Sequence, residues 1–119
     1  MPIKFSNDKP IFIQLAELIK SEIISGKYPT GKKLPSVREF AFEFQINPNT
    51  VQKALQILED EGYITTDSTN GKFVTSTQKQ LESQKNKLIN QEVSLFLSKM
   101  KSFGLNSNEI KNLINNIGE

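Results

Sequence analysis

The sequence contains no cysteine and no histidine. Without cysteine the chain forms no disulfide, no iron–sulfur cluster and no thiolate zinc site. Without histidine it lacks the residue most often used for general acid–base catalysis, the Ser-His-Asp arrangement and imidazole ligation of metals. Paired-carboxylate motifs and glycine-rich phosphate loops are also missing. We therefore expect a protein that is not an enzyme and that needs no metal or cofactor.

Long apolar runs are missing too. None approaches the ~18 residues of a membrane span, and the opening residues 1–6 lack the apolar region of a secretory signal. These absences predict a cytoplasmic protein that does not contact a membrane. The chain has 119 residues, of which 36% are hydrophobic. That length suits about one domain with a modest core, and small domains are often completed by a partner subunit.

The net charge of +2 is too small to indicate a partner, but the charges are segregated along the chain. Residues 27–56 hold five basic and two acidic side chains, whereas residues 57–67 hold four acidic and none that are basic. The local basic excess favours nucleic-acid binding. Residues 1–75 as a whole carry no net charge, and this supports an alternative, a protein-interaction module that does not bind DNA.

Three helices are predicted in the first half of the chain from apolar spacing and capping residues. The first covers about residues 10–25 and ends before Gly26, which suits the left-handed position after a helix. The second follows Ser36, which forms a capping-box pattern with Glu39. The third starts at Asn47 as N-cap, followed by a proline at the first helical position.

The third helix has one apolar and one polar face. The apolar residues lie at helical spacing: Val51, Ala54, Leu55 and Leu58. The polar residues lie at the same spacing on the opposite side: Asn49, Gln52, Lys53 and Gln56. Asparagine and glutamine can pair bidentately with adenine, and lysine with guanine or phosphate. Any amphipathic helix has a solvated face, but the scarcity of acidic residues on a helix that follows a tight turn favours DNA reading.

A β-hairpin is predicted after the third helix. Strands over residues 63–66 and 72–75 flank a turn that contains Asn70-Gly71, a strong hairpin signal. The order helix, short helix, tight break, helix and hairpin predicts a winged helix-turn-helix, with the third helix in the major groove and the hairpin along the flanking DNA. The predicted fold class is α+β and mainly helical, with residues 1–75 as the DNA-binding domain.

Residues 76–119 are predicted to form a short two-helix tail. One helix covers about residues 78–102, and a last short helix is capped by Ser107. Their apolar stripes are Ile89, Val93, Phe96, Leu97 and Met100 on the first, and Ile110, Leu113, Ile114 and Ile117 on the second. The stripes could pack on their own domain, form a dimer interface or line an effector pocket. Two helices with single stripes build little independent core, so we favour a homodimer interface.

Three runs of residues resemble the GntR family of bacterial transcription regulators. They are GKKLPSVRE at residues 31–39, NPNTV at residues 47–51 and LEDEGYI at residues 58–64. The residues of the first two runs are similar to those of the YtrA-type branch of that family. A tail of only some 45 residues is also typical of that branch. The resemblance covers about residues 10–75 in detail, and the tail matches by length and pattern alone.

The resemblance implies a set of DNA-contacting positions. Arg38 corresponds to the arginine that contacts DNA in the family, and Ser36 lies where a phosphate would lie. Ser36 is also a helix cap, and capping alone remains an alternative. Early residues of the recognition helix would read bases or phosphates, and Lys53 joins them from the polar face described above: Asn47, Pro48, Asn49, Thr50, Gln52 and Lys53.

The resemblance also extends to the wing and to the partners. Gly71 would approach the minor groove, and Lys72 would add a phosphate contact. Many family members have arginine at the positions of Pro48 and Gln52, so this chain is expected to lean toward A·T contacts. The family implies a homodimeric repressor that binds a two-fold operator in double-stranded DNA. The branch suggests control of a neighbouring operon such as ABC-transporter genes, with an unknown small-molecule effector.

Overall fold

A computed structural model describes residues 4–75 and 77–118. The chain divides into two compact units, Met1–Glu82 and Ser83–Glu119, which are described separately below. Within the described residues, no helix is both long and apolar enough to cross a membrane. The elements are α1 (Ile11–Ser25), α2 (Val37–Phe44), α3 (Pro48–Asp60), β1 (Ile64–Asp67), β2 (Gly71–Val74), α4 (Gln78–Ser102) and α5 (Ser107–Ile117). This order confirms the predicted mainly helical fold with one small sheet.

The capping residues set the helix ends in the first unit. Gly26 follows α1 with a φ of 96°, in the left-handed region that glycine tolerates. At the start of α2, the Glu39 backbone N–H donates to Ser36 Oγ at 3.0 Å, and the Ser36 N–H donates to Glu39 Oε1 at 2.9 Å. At the start of α3, Asn47 Oδ1 accepts from the Asn49 N–H at 2.8 Å. All three predicted boundary signals are therefore confirmed.

Helices α1, α2 and α3 pack their apolar stripes into one core. Leu15, Phe40 and Leu55 are fully buried there. The Phe40 ring stacks on Phe44 with centroids 5.9 Å apart and meets the Tyr28 ring edge-on at 6.3 Å. Because the inner side of α3 is held in this core, its opposite side must face solvent.

The hairpin differs by one residue from the predicted strands. Asp67 pairs with Gly71 in the register, so the connection is the three residues between them. The Asp67 carboxylate accepts from the backbone N–H groups of Thr69 and Asn70 at 2.9 and 3.2 Å. These bonds satisfy the turn's amides and allow Asp67 to end the first strand. The connection is therefore residues 68–70, shorter than the predicted turn over residues 67–71.

Residues 31–34 lie along the free edge of β2. The Gly31 N–H donates to the Val74 carbonyl at 2.8 Å, and the Val74 N–H donates to the Lys32 carbonyl at 3.0 Å. The Leu34 N–H donates to the Lys72 carbonyl at 2.8 Å. The segment before α2 is thus fastened to the hairpin, which places the N-terminus of α2 beside it.

Two findings concern the predicted tail, and the second corrects the predicted cap of its last helix. Leu81, in the first turn of α4, belongs to the core of the first unit. The cap of α5 is Asn106 rather than Ser107: Asn106 Oδ1 accepts from the Glu109 N–H, and the Asn106 N–H donates to Glu109 Oε1, both at 2.9 Å. The amide of Asn106 completes the capping box, so Ser107 becomes the first helical residue.

The capping box at α2 yields a stability prediction. Ser36→Ala removes the acceptor of the Glu39 N–H, and we expect it to lower the free energy of unfolding by about 1 kcal/mol. Urea denaturation at neutral pH measures this loss. Ser68→Ala, at an exposed serine in the hairpin turn, is the control and should change stability by less than about 0.5 kcal/mol. Equal effects of the two substitutions would contradict the capping role.

The same cap has a pH dependence. The Ser36 backbone N–H, followed by its hydroxyl and the charge of Lys33, holds the pKa of the Glu39 carboxyl below its ordinary value. Stability from this group is therefore present above the unfolded pKa, about 4.3, and is lost as the pH falls through the lower folded pKa. Glu39→Gln keeps the capping bonds and should flatten the acid dependence of the unfolding free energy. An unchanged acid dependence would show that the carboxylate contributes nothing.

Candidate nucleic-acid interface

The outer face of α3 is the most direct candidate for reading DNA. Its predicted residues Asn49, Gln52, Lys53 and Gln56 are all exposed. Gln56 Nε2 donates to Asp60 Oδ1 at 2.9 Å, and Lys53 Nζ lies 5.5 Å from the centre of the Phe12 ring. Among the described residues, the side-chain amides of Asn49 and Gln52 have no internal hydrogen-bond partner.

The first turn of α3 holds the other predicted residues of this helix. Asn47 and Pro48 are exposed and Thr50 is half-buried. The Asn47 side chain caps the helix by accepting from the Asn49 N–H. Its own carbonyl accepts from the Thr50 and Val51 N–H groups at 2.9 and 3.2 Å. Asn47 is therefore a cap, and the exposed side of this turn is continuous with Asn49 and Gln52.

A cleft of about 480 Å³ separates the start of α2 from the wing, the name used here for β1, β2 and residues 68–70. Residues 33–37 form one wall, the wing forms the other, and Gln52 of α3 reaches it. The cleft brings together four of the predicted DNA-binding residues: Ser36, Gln52, Gly71 and Lys72. The other predicted residues, including Arg38 and the first turn of α3, do not line it.

Lys72 is paired inside the protein. Its Nζ donates to Thr66 Oγ1 at 2.7 Å and lies 3.8 Å from Glu59 Oε1. The Thr66 hydroxyl in turn donates to Glu59 Oε1. These three side chains connect the wing to the last part of α3, an arrangement that the sequence analysis did not predict.

Lys33 is not in the set of DNA-binding residues given above, yet it lines the cleft. A Cβ built on Gly71 would come within 2.9 Å of Lys33 Cε and 3.7 Å of its Nζ. The lysine side chain therefore crosses directly over Gly71, which has a φ of 107°. The pairing of residues 31–34 with β2 produces this contact, and no local sequence signal marks such a pairing.

Arg38 lies on the exposed side of α2. Among the residues that the structure describes, no carboxylate lies within salt-bridge distance of its guanidinium. Neither Glu39 nor Glu43 therefore forms an ion pair with Arg38. Glu39 instead accepts from the Ser36 N–H, which leaves the arginine to solvent or to a ligand.

The acidic end of α3 is partly neutralised by the protein itself. Glu61 pairs with Lys20 at 2.7 Å, and Glu59 faces Lys72. At the wing tip, N–H groups of Thr69 and Asn70 hold the pKa of Asp67 below its ordinary value. The Asp67 carboxylate accepts from N–H groups of its own turn, so it stabilises the conformation of the wing tip.

The tail has an apolar groove of about 350 Å³ between α4 and α5. Its lining includes most of the predicted dimer residues: Phe96, Met100, Ile110, Leu113, Ile114 and Ile117. Ile110 is buried, whereas Phe96, Leu113 and Ile114 are 43–50% exposed. Ile89 and Val93 precede Phe96 on α4 and are exposed. Leu97 is half-buried. The tail therefore leaves a continuous apolar stripe open.

Two packed helices before a third with an exposed amide face, followed by a wing beside an open cleft, define a winged helix-turn-helix protein of the DNA-binding type. Residues 13–74 match the family model described as "Bacterial regulatory proteins, gntR family". The chain belongs to the GntR family of transcription regulators. The resemblance found in the sequence is thereby confirmed.

Two relatives from Bacillus subtilis (strain 168) show how far this similarity extends. An uncharacterized HTH-type transcriptional regulator, YhcF, is 33% identical over 110 residues, which are 92% of this chain and 91% of YhcF. The HTH-type transcriptional repressor YtrA is 41% identical over 70 residues, which are 59% of this chain and 54% of YtrA. The similarity to YhcF therefore includes the tail.

Solved structures of transcription regulators also superpose on this chain. A GntR family transcriptional regulator from Listeria monocytogenes superposes with a TM-score of 0.90 at 34% identity, and the match covers 96% of this chain and 100% of that chain. The DNA-binding domain of AraR, solved in complex with operator ORR3, superposes with a TM-score of 0.56 at 28% identity over 63% of this chain and 90% of that domain. The first similarity includes both units.

Proposed function

We propose that this protein is a homodimeric repressor that binds a two-fold DNA operator with α3 and the wing of each subunit. The observation that carries the proposal is the outer face of α3. Asn49 and Gln52 lie in its N-terminal half, and their side-chain amides have no partner among the described residues. Such amides can read adenine in the major groove. AraR, whose similar domain was solved with an operator, supports DNA as the ligand.

The proposed DNA-binding residues divide by position. Those on the first half of α3 read base edges, and those around the cleft and on α2 contact the phosphate backbone that fixes the register. The proposed set is Ser36, Arg38, Asn47, Pro48, Asn49, Thr50, Gln52, Lys53 and Gly71. Lys72, for which the resemblance implied a phosphate contact, is instead held by Thr66 and Glu59. Arg38 supports this division because its guanidinium is exposed and unpaired by carboxylates of the described chain.

The tail is proposed to form the dimer interface. Phe96 and Ile114 each leave 43–50% of their surface in solvent, and burying such surface against a second copy is favourable by about 25 cal/mol per Å². On this proposal residues 1–75 bind DNA and residues 76–119 pair the subunits. Two-fold pairing would place the half-sites ~34–36 Å apart or at a multiple of that distance.

Repression of a neighbouring operon is the last part of the proposal. YtrA is named a transcriptional repressor, and the similarity to it supports repression here. A bound dimer would block transcription by occupying its operator, which we place in the promoter of its own operon. Catalysis has no part in this function.

The test is a comparison of two duplexes of equal length at physiological salt. One carries the promoter of the protein's own operon, and the other carries the same bases in shuffled order. Specific regulators bind their sites about 10³–10⁷ times more tightly than non-specific DNA, and we expect a preference in that range. Equal binding of both duplexes would contradict operator recognition and favour the protein-interaction module instead.

A further inference from the structure

Two lysines with different surroundings line the cleft beside the wing. Lys72 lies on β2 itself, and Lys33 lies on the segment that pairs with β2. Both line the cleft beside Ser36. Only a cation that is free to leave its internal partners adds a full counterion-releasing contact with DNA. The partners of each lysine therefore decide which of them serves the DNA.

The ammonium group of Lys72 is held by internal partners. Its side chain is only 18% exposed, and it faces Thr66, its directly opposite residue in the sheet register. The ammonium donates to the Thr66 hydroxyl at 2.7 Å and has the Glu59 carboxylate 3.8 Å away. Moving Lys72 to a phosphate would leave a half-buried carboxylate without its cation, which offsets the gain.

Lys33 has no such commitment. It is exposed, and within the described part of the chain no carboxylate lies within 4 Å of its ammonium. Its acidic neighbour, Glu39, is held by the Ser36 N–H in the capping box. The absence of a side chain at Gly71 lets the Lys33 side chain lie over it, and both residues line the cleft.

We infer that Lys33, rather than Lys72, places a positive charge on a DNA phosphate beside the wing. Lys72 is a positioning residue, which ties the wing to α3 through Thr66 and Glu59. This inference rests on the proposed function and gives the two lysines of the cleft different roles. It also explains why Glu59 can lie beside the wing without repelling DNA, since its charge is matched by Lys72.

The salt dependence of DNA binding separates the two roles. Each lost phosphate contact makes the slope of log K against log[salt] shallower by about 0.9 on duplex DNA. We expect Lys33→Ala to make the slope shallower by about 0.9 per subunit. Lys72→Ala should leave the slope unchanged. Lys32→Ala is the matched control, because Lys32 is an exposed lysine of the same segment that does not line the cleft. Its slope should equal that of the wild type.

The salt slope of Glu59→Gln tests whether Glu59 keeps Lys72 from the DNA. A purely structural role of Glu59 and Lys72 would leave this slope unchanged. The substitution removes the carboxylate that neutralises Lys72, so the lysine becomes available to DNA and the slope steepens by about 0.9 per subunit. In this background, Lys72→Ala should restore the wild-type slope, although it changes nothing when Glu59 is present. Lys72→Arg, which keeps the cation beside Glu59, should preserve the preference for the operator duplex.

All variants are compared as full-length proteins on the promoter duplex and on its shuffled counterpart, with thermal unfolding as a check of folding. If Lys72→Ala unfolds, Lys72→Gln takes its place. A shallower slope in Lys72→Ala, or an unchanged slope in Lys33→Ala, overturns the inference. Equal wild-type affinity for both duplexes ends the proposed function instead, and the slopes on the shuffled duplex still decide between the lysines.

Discussion

Phe96→Asp is expected to convert the protein to monomers and to weaken binding of a two-fold operator by about 10²–10⁴. The substitution places a carboxylate in the open apolar groove of the tail, where dimerisation would bury it without a partner. Linking two DNA-binding modules raises affinity by that factor without any new contact, so losing the link should lower it equally. Sedimentation and duplex titration measure the two effects.

The control for this substitution lies on the same helix. Leu95 is 65% exposed and lies outside the groove, so Leu95→Asp should leave both the dimer and operator affinity in place. Ile114→Asp, on the facing helix, should repeat the effect of Phe96→Asp and guards against a local folding defect. A half-site duplex should be bound equally by all these proteins. A wild type that sediments as a monomer would contradict the assignment of the tail.

Gln52→Ala is expected to lower the preference for the operator over the shuffled duplex by about 1–3 kcal/mol per half-site, the value of one bidentate base contact. The dimer carries two copies, so the total loss is about twice that, if the half-sites are independent. Competition titrations at fixed salt measure it. The prediction follows from an exposed amide that has no partner among the described residues and stands where α3 meets the cleft.

Gln56→Ala is the matched control for Gln52. It removes the same amide one turn further along α3, where Gln56 already donates to Asp60. A surface change of this kind should alter operator preference by less than about 0.5 kcal/mol. If Gln52→Ala weakened binding equally on all duplexes, Gln52 would contact the backbone and would not read bases.

Much of the first unit is predictable because its signals are local. Ser36 and Glu39 satisfy each other's backbone N–H groups across one turn. The Asn47 side chain accepts from the Asn49 N–H at the start of α3. Both helix starts can therefore be predicted from neighbouring residues. Apolar spacing then separates the buried side of α3 from its exposed side. The observed strands differ by one residue from the predicted ones because the Asp67 side chain accepts from the turn amides. The Asn70-Gly71 pair alone does not indicate this side-chain contact.

The arrangement of the candidate site is less predictable because it depends on contacts between distant segments. Residues 31–34 form an extended run that ends before Pro35, and nothing local indicates that they pair with β2. That pairing places Lys33 over Gly71 and makes it part of the cleft. In the same way, the connection from Glu59 to Lys72 joins the end of α3 to β2. Sequence alone therefore identifies the types of residue present and leaves their pairing open.

The most direct test of base reading by α3 is a double-mutant cycle between Gln52→Ala and operator duplexes in which single adenines are replaced by 7-deazaadenine. This base lacks the N7 acceptor that a glutamine amide uses in the major groove. At one adenine of each half-site, we expect the two changes together to cost less than their sum, with a coupling of about 1 kcal/mol or more. Strict additivity at every adenine would contradict the claim that α3 reads the operator through Gln52.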